Sequence, residues 1–132
     1  MIYYLKLYIA ALIAFFAMDM VWLGLVARMF YRQQLGYLMA SNTNWLAASI
    51  FYLLFLVGLL VFVVVPGLEA NSLRMTLVRA ALFGLITYAT YDLTNLATVK
   101  DWPVILTIVD MTWGTVLSVA VSWISFMVGK RL

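Results

Sequence analysis

Three aspartates, Asp19, Asp92 and Asp110, each interrupt a different long apolar segment of a chain that keeps nearly all its other charges near segment ends. A carboxylate in hydrocarbon is costly, so each acid requires a partner, a proton or water. The surroundings are hydrocarbon rather than a soluble core, because 67% of the 132 residues are hydrophobic and only 10% are charged. Such a composition describes an integral membrane protein. The length accommodates several helical spans of roughly 20 residues each and leaves no stretch for a separate soluble domain. We therefore expect one all-α membrane domain over residues 1–132.

The pattern predicts a bundle of four transmembrane helices. The first runs from about Ile2 to Ala27; it is too long for a signal-peptide core, and Asp19 lies inside it. The segment from Arg28 to Asn44 mixes Arg, Gln and Asn with Phe, Tyr, Leu and Met, which suits an interfacial helix followed by a polar turn. The second span, Trp45 to Val65, is apolar apart from Ser49 and Tyr52, promises no chemistry, and should stop at the breaker pair Pro66-Gly67. The third runs from about residue 75 to Val99. The fourth runs from Pro103, in the first turn, to Val128. The Lys100-Asp101-Trp102 turn makes the last two helices an antiparallel hairpin. Trp45 and Trp102 fall where membrane-interface tryptophans belong.

Basic residues are spread along the chain and flank the apolar runs, as anchors to the lipid bilayer do, so the formal charge of +3 indicates no nucleic-acid partner. Lys6, Arg74, Arg79, Lys130 and Arg131 fall on one side, against Arg28, Arg32 and Lys100 on the other. This balance places both termini in the cytoplasm. The chain has no Cys and no His, which removes thiol redox chemistry, imidazole catalysis and the common zinc sites. Nothing calls for a cofactor. A divalent cation on Asp19, Asp92, Asp110 and Asn95 is chemically allowed, but no metal is expected.

In four alternating spans the acids share a depth. Asp19 lies eight residues before Ala27, Asp92 seven before Val99, and Asp110 seven after Pro103. At helical rise each is roughly 10 to 12 Å from the same membrane edge. Polar or aromatic residues stand a turn away from each acid: Trp22 near Asp19, Tyr88 and Asn95 near Asp92, Trp113 near Asp110. Gly84 and Tyr88 precede Asp92, and Gly114, Ser118 and Ser122 follow Asp110, all at steps of four. Small residues at this spacing turn both acids toward neighbouring helices.

Several carboxylates in one low-dielectric layer cannot all remain ionised, and at least one is expected to hold its proton near neutral pH. The candidate ligand-binding set is Asp19, Trp22, Tyr88, Tyr91, Asp92, Asn95, Asp110 and Trp113. Arg28, Arg32 and Lys100 are candidates for its mouth. No catalytic residue is assigned. Three functions fit: a site that binds or moves a proton, a cation or a small cationic or amphipathic ligand; an intramembrane enzyme using paired Asp residues on a lipid or isoprenoid; and an accessory protein whose acids hold the bundle together. A transport pathway walled by only four helices calls for a homodimer.

The segments AMDMVWLGLVARMFYRQQLG, TYATYDLTNLATVKDWP and VDMTWG resemble the small bacterial membrane proteins grouped as domain of unknown function 2177. The resemblance implies a bacterial inner-membrane protein with the four-helix layout and supplies no activity. Its motifs include Asp19, Trp22, Gly24, Tyr91, Asp92, Asn95, Asp110, Trp113 and Gly114.

Overall fold

The chain, described over residues 1–132 by a computed structural model, consists of four long helices and the turns between them. They are α1, Ile2–Leu35; α2, Trp45–Glu69; α3, Leu73–Thr98; and α4, Val104–Gly129. The Tyr3 hydroxyl donates to the Gly129 carbonyl at 2.9 Å, so both termini lie at one end of the bundle. At the other end the Tyr37 hydroxyl donates to the Asp101 carbonyl at 2.8 Å and ties the α1–α2 loop to the α3–α4 turn.

Three helices, α1, α2 and α4, are long and apolar enough to cross a bilayer. α3 is the most polar of the four, yet its 26 residues match α4, against which it lies antiparallel. Both therefore extend roughly 39 Å. The hydroxyls of Thr87, Thr90, Thr94 and Thr98 donate to carbonyls one turn back, at Phe83, Ile86, Thr90 and Thr94. Each hydroxyl is satisfied within the helix, which lets the exposed Thr90, Thr94 and Thr98 face lipid, while Thr87 turns toward the bundle.

Two boundaries differ from those the sequence predicts. The Arg28–Leu35 segment is helical but not a separate interfacial helix: it continues α1 through a wide π-helical turn at Trp22–Ala27. Without a proline at this junction, nothing forces the backbone to break. In α2, Pro66-Gly67 does not end the helix, which runs on to Glu69. A proline removes one N–H and crowds the carbonyl four residues earlier, here that of Phe62. A π turn at Leu60–Val64 loosens the ladder just before the proline. The orphaned Phe62 carbonyl accepts from Arg79 Nη1 at 3.2 Å. The guanidinium thus replaces the missing amide, and the helix persists.

The core fills the half of the bundle nearer the termini. Leu7, Ala11 and Phe15 of α1 meet Leu56, Leu59 and Val63 of α2, with Leu117 and Val121 of α4 between them. Lipid is as apolar as these side chains, so close fit rather than water exclusion holds the helices. The most extensive helix contact is between α3 and α4. A methyl on Gly84 would strike the Gly114 carbonyl and the Ser118 side chain, and one on Gly114 would strike the Tyr88 ring. Trp102, expected at the interface, is instead buried: its Nε1–H donates to Thr107 Oγ1 at 3.1 Å, and its ring meets Tyr91 edge-on. A turn too short to carry an indole outward folds it back on α4. Trp45 is 71% exposed.

Gly84→Ala is expected to lower stability in detergent by about 1–3 kcal/mol, the usual result of overfilling a tight contact. Gly24 has open space where its side chain would be, so Gly24→Ala should change stability by less than about 0.5 kcal/mol. Thermal unfolding of the two variants side by side checks the assignment.

Candidate functional site

Beyond the packed core the helices part around a cavity of about 440 Å³, and all three aspartates line it. Asp19 and Asp92 are 6% and 0% exposed, and Asp110 is half-buried. α1 and α4 each bring an acid followed by a tryptophan three residues on. The two indoles, Trp22 and Trp113, stack in parallel with centroids 4.3 Å apart and planes 5° from coplanar. This pair holds α1 against α4 beside the acids.

Each acid has a different setting. Asp110 accepts a hydrogen bond from the Tyr31 hydroxyl at 2.5 Å, so the extension of α1 reaches across the cavity to α4. Asp19 approaches the Trp113 indole and the Tyr52 hydroxyl. The approach to Trp113 is short of a hydrogen bond, since the Nε1–H groups of both Trp22 and Trp113 have no partner. Asp92 lies beside Asp110, completely buried, and neither of its oxygens accepts from a hydroxyl, amide or indole donor. A buried carboxyl with only another carboxyl beside it is uncommon in a folded protein.

No lysine or arginine lines the cavity. Its polar inventory is three carboxyls, the hydroxyls of Tyr31, Tyr52, Tyr88, Tyr91 and Thr87, and two free indole N–H groups. The acids face one space without converging into a cluster able to hold a metal ion. Chemically, such a chamber can hold a proton between Asp92 and Asp110, or place a cation among carboxylates and aromatic faces.

Seven of the eight expected ligand-binding residues line this cavity: Asp19, Trp22, Tyr88, Tyr91, Asp92, Asp110 and Trp113. Asn95 is half-buried but outside the lining. Arg28, Arg32 and Lys100 are exposed and also outside it. The same π turn that continues α1 brings Tyr31 and Leu35, rather than the arginines, to the cavity. Sequence reasoning missed Tyr31 and Tyr52. α2, read as chemically silent, contributes Tyr52, Ala48 and Phe51. The signal was a lone phenol in an otherwise apolar span, which asks for a partner as a buried acid does.

Tyr31→Phe removes the hydrogen bond to Asp110. It should lower stability by about 1–3 kcal/mol, as loss of a partner from a buried polar group does. It should also speed hydrogen exchange at residues 28–35, leaving the termini end of the bundle unchanged. Hydrogen-exchange mass spectrometry of the variant and the native protein reads both ends at once.

Comparison with known families supports this membrane architecture. A family model described as a predicted membrane protein, DUF2177, matches residues 4–127. No curated protein and no solved structure matches the chain. A match covering nearly the whole chain, including all three acids and the helices that carry them, shows that the protein belongs to the DUF2177 family of membrane proteins.

Proposed function

We propose that the protein binds a cation inside the bilayer, exchanging a proton on its acid layer for a small cationic molecule. The observation that carries this reading is Asp92, fully buried beside Asp110 with no hydroxyl, amide or indole donor, in a cavity with two further carboxyls and no positive side chain. An intramembrane acid without a protein counter-charge needs a proton or a bound cation. The aromatic walls add attraction for an ammonium group over their ring faces. Asp92 and Asp110 form the charge-bearing pair, Asp19 the third contact, and Trp22, Trp113, Tyr88 and Tyr91 the walls. Asn95, Arg28, Arg32 and Lys100 stay outside the binding chamber in this proposal, near its mouth.

A second reading rests on the Asp92–Asp110 pairing alone. Two adjacent carboxyls can serve as general acid and general base, so an intramembrane enzyme acting on a lipid or isoprenoid is the alternative.

The setting belongs to the proposal. The chain acts as one membrane domain of the bacterial inner membrane, with both termini in the cytoplasm, as a homodimer that thickens the thin four-helix wall. The bias of basic residues toward the termini end supports this orientation. The cavity then opens toward the periplasmic half.

Asp92→Asn keeps the side-chain shape and removes the charge. The variant is expected to fold in normal yield and to lose the thermal stabilisation that saturating tetramethylammonium gives the native protein. For a ligand at one hundred times its dissociation constant this stabilisation is about 2.7 kcal/mol. Equal stabilisation of the variant would remove Asp92 from the site. For orientation, a reporter active only in the cytoplasm should work when fused after Leu132; activity there of a periplasm-dependent reporter instead would invert the topology.

A further inference from the structure

Resting on the binding site proposed above, we infer that its ligand is a single-tailed alkylammonium amphiphile, reaching the acids sideways from the lipid between α2 and α3. The two most exposed residues of the cavity lining mark the gap. Phe51 on α2 is 49% exposed and Tyr91 on α3 is 55% exposed. Phe51 stands six residues after the start of α2, and Tyr91 seven before the end of α3. Both are therefore roughly 9 to 10 Å inside the helix ends, at hydrocarbon depth. Residues that line a cavity and are also open at that depth border a break in its side wall.

The helices explain the break. Trp45, Leu46, Ile50 and Leu54 are all more than half exposed. α2 closes against α3 lower down, where Phe55 meets Phe83 at 5.4 Å and Gly58 faces the same ring. The axial mouth is obstructed differently: α1 carries Tyr31 and Leu35 over the cavity, and the Tyr37–Asp101 bond straps the loop across that end. The side gap is flanked by apolar and aromatic groups, which suits an alkyl tail. The acids beyond it suit the ammonium head.

The head must also lack a phosphate. With three carboxyls and no lysine or arginine in the lining, a phosphate would find neutral hydroxyl and indole donors but no positive charge to offset the repulsion of the acids. This favours a simple amine or quaternary ammonium over a zwitterionic phospholipid. A volume of about 440 Å³ lies in the usual range for small-ligand sites, about 300–1,000 Å³, and leaves the tail in the gap and the lipid.

The test measures binding of tetramethylammonium and of butyl-, octyl- and decyl-trimethylammonium to the full chain in nanodiscs, with empty nanodiscs subtracted. Lateral access predicts apparent affinity rising roughly fourfold per added methylene, the factor for moving one methylene out of water. Ala47→Trp, which places an indole one turn before Phe51 at an exposed position outside the lining, should flatten the series while tetramethylammonium still binds. A flat series in the native protein, with tetramethylammonium retained, would overturn the sideways route and leave the cation site standing. Binding of neither small nor long ammonium ions would overturn both. Decylphosphocholine binding as tightly as decyltrimethylammonium would overturn the choice of a phosphate-free head.

Discussion

Placing Asp92 in the interior requires α3 and α4 to lie closer than ordinary side chains permit. The contact at Gly84, Gly114 and Ser118 brings the backbones together, and Tyr88 lies over Gly114 where a methyl would otherwise project. One turn farther along α3, Asp92 faces Asp110. The acid layer is therefore built by glycines a turn or two away, and its electrostatics depend on packing that contains no charge. Widening this hairpin would admit water or lipid to the carboxyls and dissolve the arrangement. α1 and α2 complete the chamber, but they pack against a hairpin whose geometry is already set.

Of the two departures from regular α-helix, one serves this chamber and the other the core beneath it. In α1 the π turn at Trp22–Ala27 changes the phase of the helix between Asp19 and Tyr31. Two residues twelve apart can thus address one cavity, Asp19 from its wall and Tyr31 from above it, where the hydroxyl reaches Asp110. In α2 the π turn before Pro66, with Arg79 on the Phe62 carbonyl, keeps the lower half of the helix against the core. A π turn weakens local hydrogen bonding, and such turns are frequent at functional sites. Here they place a phenol over the acids and carry a helix past a proline.

Much of this was legible in the sequence, for a definite reason. In a membrane, apolar run length fixes span length, and polar residues within a run are rare enough to be informative one by one. Asp19, Asp92 and Asp110 could be set at one depth from their distances to the span ends, and the structure lines one cavity with all three. The glycines of the helix 3–4 contact followed from four-residue spacing. What was not legible depends on phase and on long-range contacts. A π turn leaves no composition signature, so the reach of Tyr31 was hidden. The continuation of α2 past Pro66 needed a guanidinium from another helix. Trp102 read as an interface residue because its burial depends on how a short turn folds back on Thr107. Tyr52 was visible and undervalued.

In the proposed function the acid layer exchanges one of its protons for a bound cation. The most direct measurement is calorimetric titration of tetramethylammonium into the protein in nanodiscs, repeated in buffers of different ionisation enthalpy so that released protons are counted. Exchange of one charge for one predicts roughly one proton released per cation bound. Cation binding with no proton release at any pH, or no binding at all, would contradict it.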